Sequence, residues 1–376
     1  MVLLIAAIPV LAMVGYRTLR DTTTGRRIDA QNDPKKTRYE ANVLPTPVML
    51  LVEMGTDNSL QGLTMLALGA GDTGGAVVFI PTGTVAPQAD GTLATLSNTF
   101  GKGDFGGLEQ ATANLLKLSF DQVVVVTADQ WQQFAAPVSP LSVDNPDRVA
   151  VSDARGRTTT VFPPGPLQLR ADQIVTYMHA RNQNESELAQ LIRKQAVWSA
   201  WLSAIKASKS PGAVPGETKS GFGRYLLGLS KGAADITTLP VRAQAPGAIN
   251  ESYVTEPATV QALITRDVPL PTPAKMGDRV RVRLLSGTGP IGSPNTVAGE
   301  IVAAGGQITI IGNADRFDYT TTQIIYNGDQ FAAAAQKLRD ALGIGEVSSS
   351  PTPNDIEDVT VILGQDATAR YGGNGG

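Results

Sequence analysis

The sequence predicts two α/β units: a sheet flanked by helices, then a smaller α+β domain of order β-α-β-β-α-β. Three observations predict this. Apolar runs of strand length, set apart by glycines, begin at Val48. The longest stretch of helical spacing runs from Asp172 to Lys206. Pro269, Pro271 and Pro273 then precede a segment in which Val280, Val282 and Leu284 alternate with arginines. A chain of 376 residues with 42% apolar residues has enough apolar surface for two moderate cores.

Taken in order, residues 2–14 are an apolar run closed by Gly15-Tyr16 and then Arg17 and Arg20. The run is short for a bilayer span, which needs about 20 residues, and it suits a signal-peptide core better. No basic segment precedes it and no small-x-small cleavage site follows. Residues 1–16 are therefore expected to be a membrane anchor or signal segment, one reading of which has its true start upstream of Met1; the alternative is a buried helix. Residues 17–45 are polar, with Arg26-Arg27 and Lys35-Lys36, and are expected to be a solvated stalk. Strands are expected at Val48–Val52, Thr64–Leu68 and Ala76–Ile80, with Gly69–Gly75 as the hairpin turn between the last two. A helix over Leu108–Leu118 leads into a buried strand at Val123–Val126, and Ala128–Phe134 is again helical. The Asp172–Lys206 helix is expected to break near Asn182–Asn184, and it places Trp198 and Trp201 on one face. Phe222–Leu229 reads as a helix, Thr237–Ala245 as a strand and Pro257–Leu263 as a helical turn or two.

The first unit is thus expected over 46–268, a proline-rich linker over 269–278, the second unit over 279–367 and a tail over 368–376. In the second unit the strands are Val280–Leu284, Gln307–Ile311, Thr322–Tyr326 and Val359–Leu363. The helices are Thr296–Ala304 and Gln330–Leu342, and 345–356 is a loop. Gly287–Gly292 lies between a strand and a helix but lacks the Lys-Ser of a phosphate-binding loop, and Pro290 removes an amide donor, so it reads as a turn.

Composition excludes several kinds of chemistry. The chain has no cysteine, which removes disulfides, zinc thiolates, thiol catalysis and lipoprotein acylation. Its single histidine, His179, leaves no multi-histidine metal site, and no carboxylate partner for it is evident, so it reads as a packed or surface residue. With 31 basic against 34 acidic residues, a net charge of -3 and no basic run, nucleic acid is not an expected partner.

Three motifs carry the functional reading: Gly55-Thr-Asp-Asn-Ser59, Gly62-Leu-Thr-Met-Leu66 and Ile80-Pro-Thr-Gly-Thr84. In order and flanking pattern they resemble the opening motifs of the LytR-CpsA-Psr (LCP) family, G-x-D-x-R, S-D-T-M and I-P-R-D-T. Further along, Leu118–Val126 resembles the strand after that family's first long helix, and Asn98 falls near its K-I-N asparagine. Leu169–Arg181 resembles L-x-G-x-x-A-L-x-Y-x-R-x-R, with His179 in place of the first arginine. In the D-x-G-R-x-x-R-Q motif that follows, Glu187, Ala189 and Gln190 hold the first three positions and Arg193 the fourth. The second unit resembles the LytR C-terminal domain at Val282–Gly289, Gly312–Tyr319 and Asp358–Asp366.

The resemblance implies an LCP-like mixed sheet, and a family activity that moves polyprenyl-diphosphate-linked glycans onto the cell wall. Charged groups that would hold a diphosphate and its metal are replaced here by Ser59, Leu63, Thr82, Gly83 and Gln190. Phosphoryl transfer depends on neutralising charge as it grows, and losing one such clamp costs about a hundred- to a thousand-fold. The resemblance therefore implies a catalytically inactive LCP-like scaffold or regulator, exported to the extracytoplasmic side of a Gram-positive, actinobacterial cell membrane. Its expected partners are polyprenyl-phosphate lipid or cell-wall glycan, envelope proteins, and the membrane through the N-terminal segment. No cofactor is expected. Candidate ligand-binding residues are Asp57, Arg181, Arg193 and Glu187, and candidate lipid-pocket residues are Trp198 and Trp201. Each has a plainer reading: Asp57 as a turn residue bonding its own backbone, Arg181 pairing with Glu185 one turn on, Arg193 facing water, and the tryptophans as core. The alternative is an active glycopolymer phosphotransferase that uses Mg2+ and a site rebuilt from Asp57, Glu187, Arg181 and Arg193.

Overall fold

The computed structural model describes residues 33–371, apart from residues 102, 153, 154, 156, 209, 245–250 and 292–294. The expected anchor at 1–16 and the first part of the expected stalk lie outside the described residues. Among the described residues no helix is long and apolar enough to cross a membrane. The chain forms two compact units. One is Pro45–Met276; the other joins the segment ending at Leu44 to the segment beginning at Gly277.

Strand β1 (Glu40–Asn42) belongs to the second of these. The first unit is built on β2 (Val48–Met54), β3 (Leu60–Leu68) and β4 (Gly75–Ile80), then α1 (Phe105–Leu116), β5 (Gln122–Thr127) and α2 (Ala128–Ala135). It continues with α3 (Ala171–His179), α4 (Glu187–Ala207), α5 (Gly221–Lys231), β6 (Ala234–Thr238) and α6 (Pro257–Asp267). Its sheet has the order β6-β4-β3-β2-β5, with β5 and β6 parallel to their neighbours and the central pairs antiparallel.

The sheet is covered on both sides, which is why its strands read as unbroken apolar runs. Met49, Leu51, Leu66, Val77 and Phe79 face a core completed by α2, α3, α4 and α5. Leu50, Val52, Met65, Val78 and Ile80 face a second core completed by α1 and α6. The expected break in the long helix occurs between His179 and Glu187, and Ser186 restarts the helix by accepting a bond from the Ala189 N–H at 3.1 Å. Four short strands at Leu141–Asn145, Val149–Ser152, Thr158–Phe162 and Gly165–Leu169 pair two and two. The strand expected at Thr237–Ala245 instead divides into β6 and a short pair, Arg242–Ala243 with Tyr253–Val254. Residues of the expected proline linker are tied to the first unit. Leu270 exchanges bonds with Thr46 at 2.9 and 3.1 Å, and the Ser119 N–H donates to the Thr272 carbonyl at 2.9 Å.

The second unit comprises β7 (Val280–Ser286), α7 (Asn295–Ala303), β8 (Gly306–Asn313), β9 (Gln323–Tyr326), α8 (Ala332–Leu342), β10 (Glu346–Ser349), β11 (Val359–Leu363) and α9 (Gln365–Tyr371). Its six-stranded sheet runs β1-β8-β7-β11-β9-β10. Three expectations are corrected here. Part of the 345–356 loop is β10, a parallel partner of β9. The tail expected at 368 is helical through Tyr371. Residues 40–42, expected in a solvated stalk, pair antiparallel with Gly312, Ile311 and Ile310. The Glu40 carboxylate is met by Arg283 of β7. Gly312 permits the approach, because a side chain there would collide with the Tyr39 carbonyl.

Candidate functional site

The first unit has a polar cavity of about 580 Å³ lined by Gln61, Thr82, Gly83, Asn98, His179, Arg181, Glu187, Gln190 and Glu251 among others. It lies where β3 begins, β4 ends, α3 ends and α4 starts. Positions read from separate motifs thus converge on one place. The structure does not bring all the candidates together. Asp57 is exposed and accepts from the amide and hydroxyl of Ser59, which closes a local turn; those bonds hold its carboxyl below the usual range. Leu63 is buried on β3 in the apolar core.

Arg193 neither faces water nor points at a ligand. Its side chain is 4% exposed, paired with Glu185, and it donates to the Tyr177 and Ala180 carbonyls at the end of α3. It serves as the C-terminal cap of that helix. Gln190 donates to the Met178 carbonyl at 2.9 Å in the same role. Trp198 and Trp201 are fully buried and pack with Trp131, Phe79 and Phe222, at ring centroid separations of 5.2–6.4 Å. This aromatic cluster fills the space between sheet and helix where an isoprenoid chain was expected.

Arg181 bonds the Glu185 carbonyl at 3.0 Å, not its carboxylate. Its ion-pair partner is Glu251, at 2.9 Å. Glu251 also accepts from the Glu187 N–H at 2.7 Å and the Tyr253 hydroxyl at 2.6 Å. Burial works to raise its pKa, but the bonds from Tyr253, Glu187 and Arg181 outweigh burial and hold it below the usual range. Glu187, the first residue of α4, accepts from the Thr82 N–H at 2.6 Å, the Thr82 hydroxyl at 2.9 Å and the Gly83 N–H at 3.2 Å. A carboxylate at this end of a helix also gains from the helix dipole.

Behind the cavity lies a buried charged cluster. Glu53 receives Lys194 and His179 at 3.1 Å each, and Lys194 also donates to the Gln61 carbonyl. Both side chains of the Glu53–Lys194 pair are 1% exposed. Burial would raise the Glu53 pKa, yet the Lys194 charge and the His179 bond bring it down to about 2. His179 moves the other way: burial first, then the Lys194 charge, push its pKa down, so the neutral ring donates Nε2–H to Glu53. The carboxylate partner for His179 that sequence did not reveal is therefore Glu53. Gly62 makes room for this cluster, since a Cβ there would collide with the Lys194 ammonium.

Sequence reasoning missed Glu53, Lys194 and Glu251. A lone glutamate inside the apolar strand Val48–Met54 was the available signal for the first; nothing local pointed to Glu251. Magnesium does not fit the cavity. Both oxygens of Glu187 and the Oε2 of Glu251 already accept from N–H, hydroxyl and guanidinium donors, and among the described residues no group of three or more His, Cys, Asp or Glu could hold a metal ion.

Residues 279–366 match the sequence model of the family described as LytR cell envelope-related transcriptional attenuator. No curated protein matches the chain. Among solved structures, TagT of B. subtilis is 14% identical, with a TM-score of 0.46 over 60% of this chain and 91% of that one. A LytR-Csp2A-Psr enzyme from Actinomyces oris is 14% identical, with a TM-score of 0.47 over 61% and 95%. TagT bound to LIIa-WTA is 13% identical, with a TM-score of 0.47 over 64% and 94%. Residues 279–366 accordingly match the LytR C-terminal family, and they follow a mixed α/β unit.

Proposed function

We propose that this cell-envelope protein is a catalytically inactive member of the LCP kind, a scaffold or regulator that holds cell-wall glycan in the polar cavity of its first unit. The observation that carries the reading is that both candidate arginines and the buried lysine behind the cavity are paired with carboxylates of the protein itself: Arg181 with Glu251, Arg193 with Glu185, and Lys194 with Glu53. A phosphoryl-transfer site needs such cations aimed at the oxygens where charge develops. Here two of the three are buried in structural roles and the third is neutralised at the cavity wall. The expected setting is the extracytoplasmic side of the cell membrane, with residues 1–16 as the tether and the LytR C-terminal domain as a second contact with envelope components.

The test is to incubate the protein with a polyprenyl-diphosphate-linked glycan and Mg2+, and to measure both phosphate release and glycan retention. Retention without release is expected. Metal-dependent cleavage at a rate approaching that of a glycopolymer phosphotransferase would overturn the reading in favour of a rebuilt active site.

A further inference from the structure

We propose that Glu187 and Glu251 are built-in occupants of the anion position in this cavity, so that the pocket refuses phosphoryl groups and selects an uncharged saccharide. The proposal rests on the non-catalytic reading above and names the part of the ligand that the site can take.

The two carboxylates collect what an anion site would offer a phosphate: two consecutive loop amides from Thr82 and Gly83, the Thr82 hydroxyl, the first amide of a 21-residue helix, and a guanidinium. Their distances, 2.6–3.2 Å, are those of formed bonds. A diphosphate would have to expel both side chains and then lie beside them. Counting Arg181 against Glu187 and Glu251, with His179 neutral, the wall carries one net negative charge, and the Glu53–Lys194 pair behind it cancels. Both electrostatics and occupancy thus oppose a phosphoryl ligand.

What remains for a ligand is uncharged. Gln61, Thr95, Ser97, Asn98 and Ser252 line the rest of the cavity. Amides and hydroxyls present donors and acceptors side by side, as a sugar's hydroxyl and acetamido groups require. At about 580 Å³ the cavity has room for one or two sugar rings.

The experiment titrates the intact protein with inorganic pyrophosphate and, separately, with an uncharged N-acetylglucosamine tetramer. It is repeated on Glu187→Gln, Glu251→Gln and the double variant, with a thermal transition confirming that each is folded. The expected result is saccharide binding and no detectable pyrophosphate binding by the unaltered protein. Pyrophosphate binding at least ten-fold tighter, and weakened by salt, should appear in the double variant. If the double variant does not fold, Glu251→Gln alone frees Arg181 and should show a smaller gain. Pyrophosphate binding by the unaltered protein equal to that of the variants would overturn the proposal, as would folded variants that gain none. Gain of pyrophosphate binding without saccharide binding in any form would uphold the role of the carboxylates and overturn the saccharide assignment, together with the glycan reading.

Discussion

In a Lys194→Met variant, the Glu53 carboxyl would keep its place in the sheet and lose its only cationic partner. Breaking one side of a buried ion pair generally costs about 3–5 kcal/mol, and the depression of the Glu53 pKa, net of burial, Lys194 and His179, is of the same order. The Glu53 carboxyl sits at about 2 rather than 4.5, a difference that corresponds to about 3 kcal/mol of linkage. Because this pKa is depressed on folding, the stabilisation is present above pH 4.5 and is lost as pH falls toward 2. In the variant, only His179 would oppose burial, so the Glu53 pKa rises from its value in the unaltered protein. The stability lost as pH falls from 4.5 toward 2 should then shrink. Urea unfolding followed by tryptophan fluorescence is the natural assay, since the three tryptophans, Trp131, Trp198 and Trp201, all lie in the first unit and report on it alone. Adding Glu53→Gln to Lys194→Met should recover most of the loss. A single-variant cost under about 1 kcal/mol, or an unchanged pH profile, would show that the pair does not carry the charge coupling inferred here.

Three further outcomes are expected. Arg193→Ala should cost about 3 kcal/mol in urea unfolding by leaving Glu185 without its cation and the carbonyls of Tyr177 and Ala180 without the guanidinium, an effect on α3 rather than on a ligand. Trp198→Ala should cost about 3–5 kcal/mol, because its fully buried ring touches four other aromatics or their neighbours in a closed core. Gly312→Ala should expel β1 from the second unit, which limited proteolysis would read as new cleavage between residues 38 and 44.

Much of the architecture was legible because it is local. The runs at Val48, Thr64 and Ala76 are strands whose neighbours cover both faces, so apolar content alone marks them. The break in the long helix was marked by Asn182–Asn184, and Asn184 adopts a left-handed φ of 63° there. Elements that depend on distant partners were not legible. Glu40–Asn42 is three polar-flanked residues until β8 gives it a ladder, and Glu346–Ser349 carries little apolar content of its own. The site follows the same division. Its positions could be ordered from motif spacing, whereas its electrostatics rest on pairs far apart in sequence: Glu53 with Lys194 at a separation of 141, Glu187 with Thr82 at 105, and Arg181 with Glu251 at 70. Such pairs leave Arg181 looking free when read along the chain, whereas Arg193, a candidate by its place in the motif, is held by Glu185 only 8 positions away.

The placement of β1 bears on the order in which the protein is made. As the chain emerges from the ribosome, Glu40–Asn42 appears first, and its partner strand Gly306–Asn313 is still unsynthesised while the whole first unit is translated and can fold. The second sheet therefore closes late, around a strand made before the first unit. A chain cut short anywhere before residue 306 would keep the first unit and display β1 without a partner.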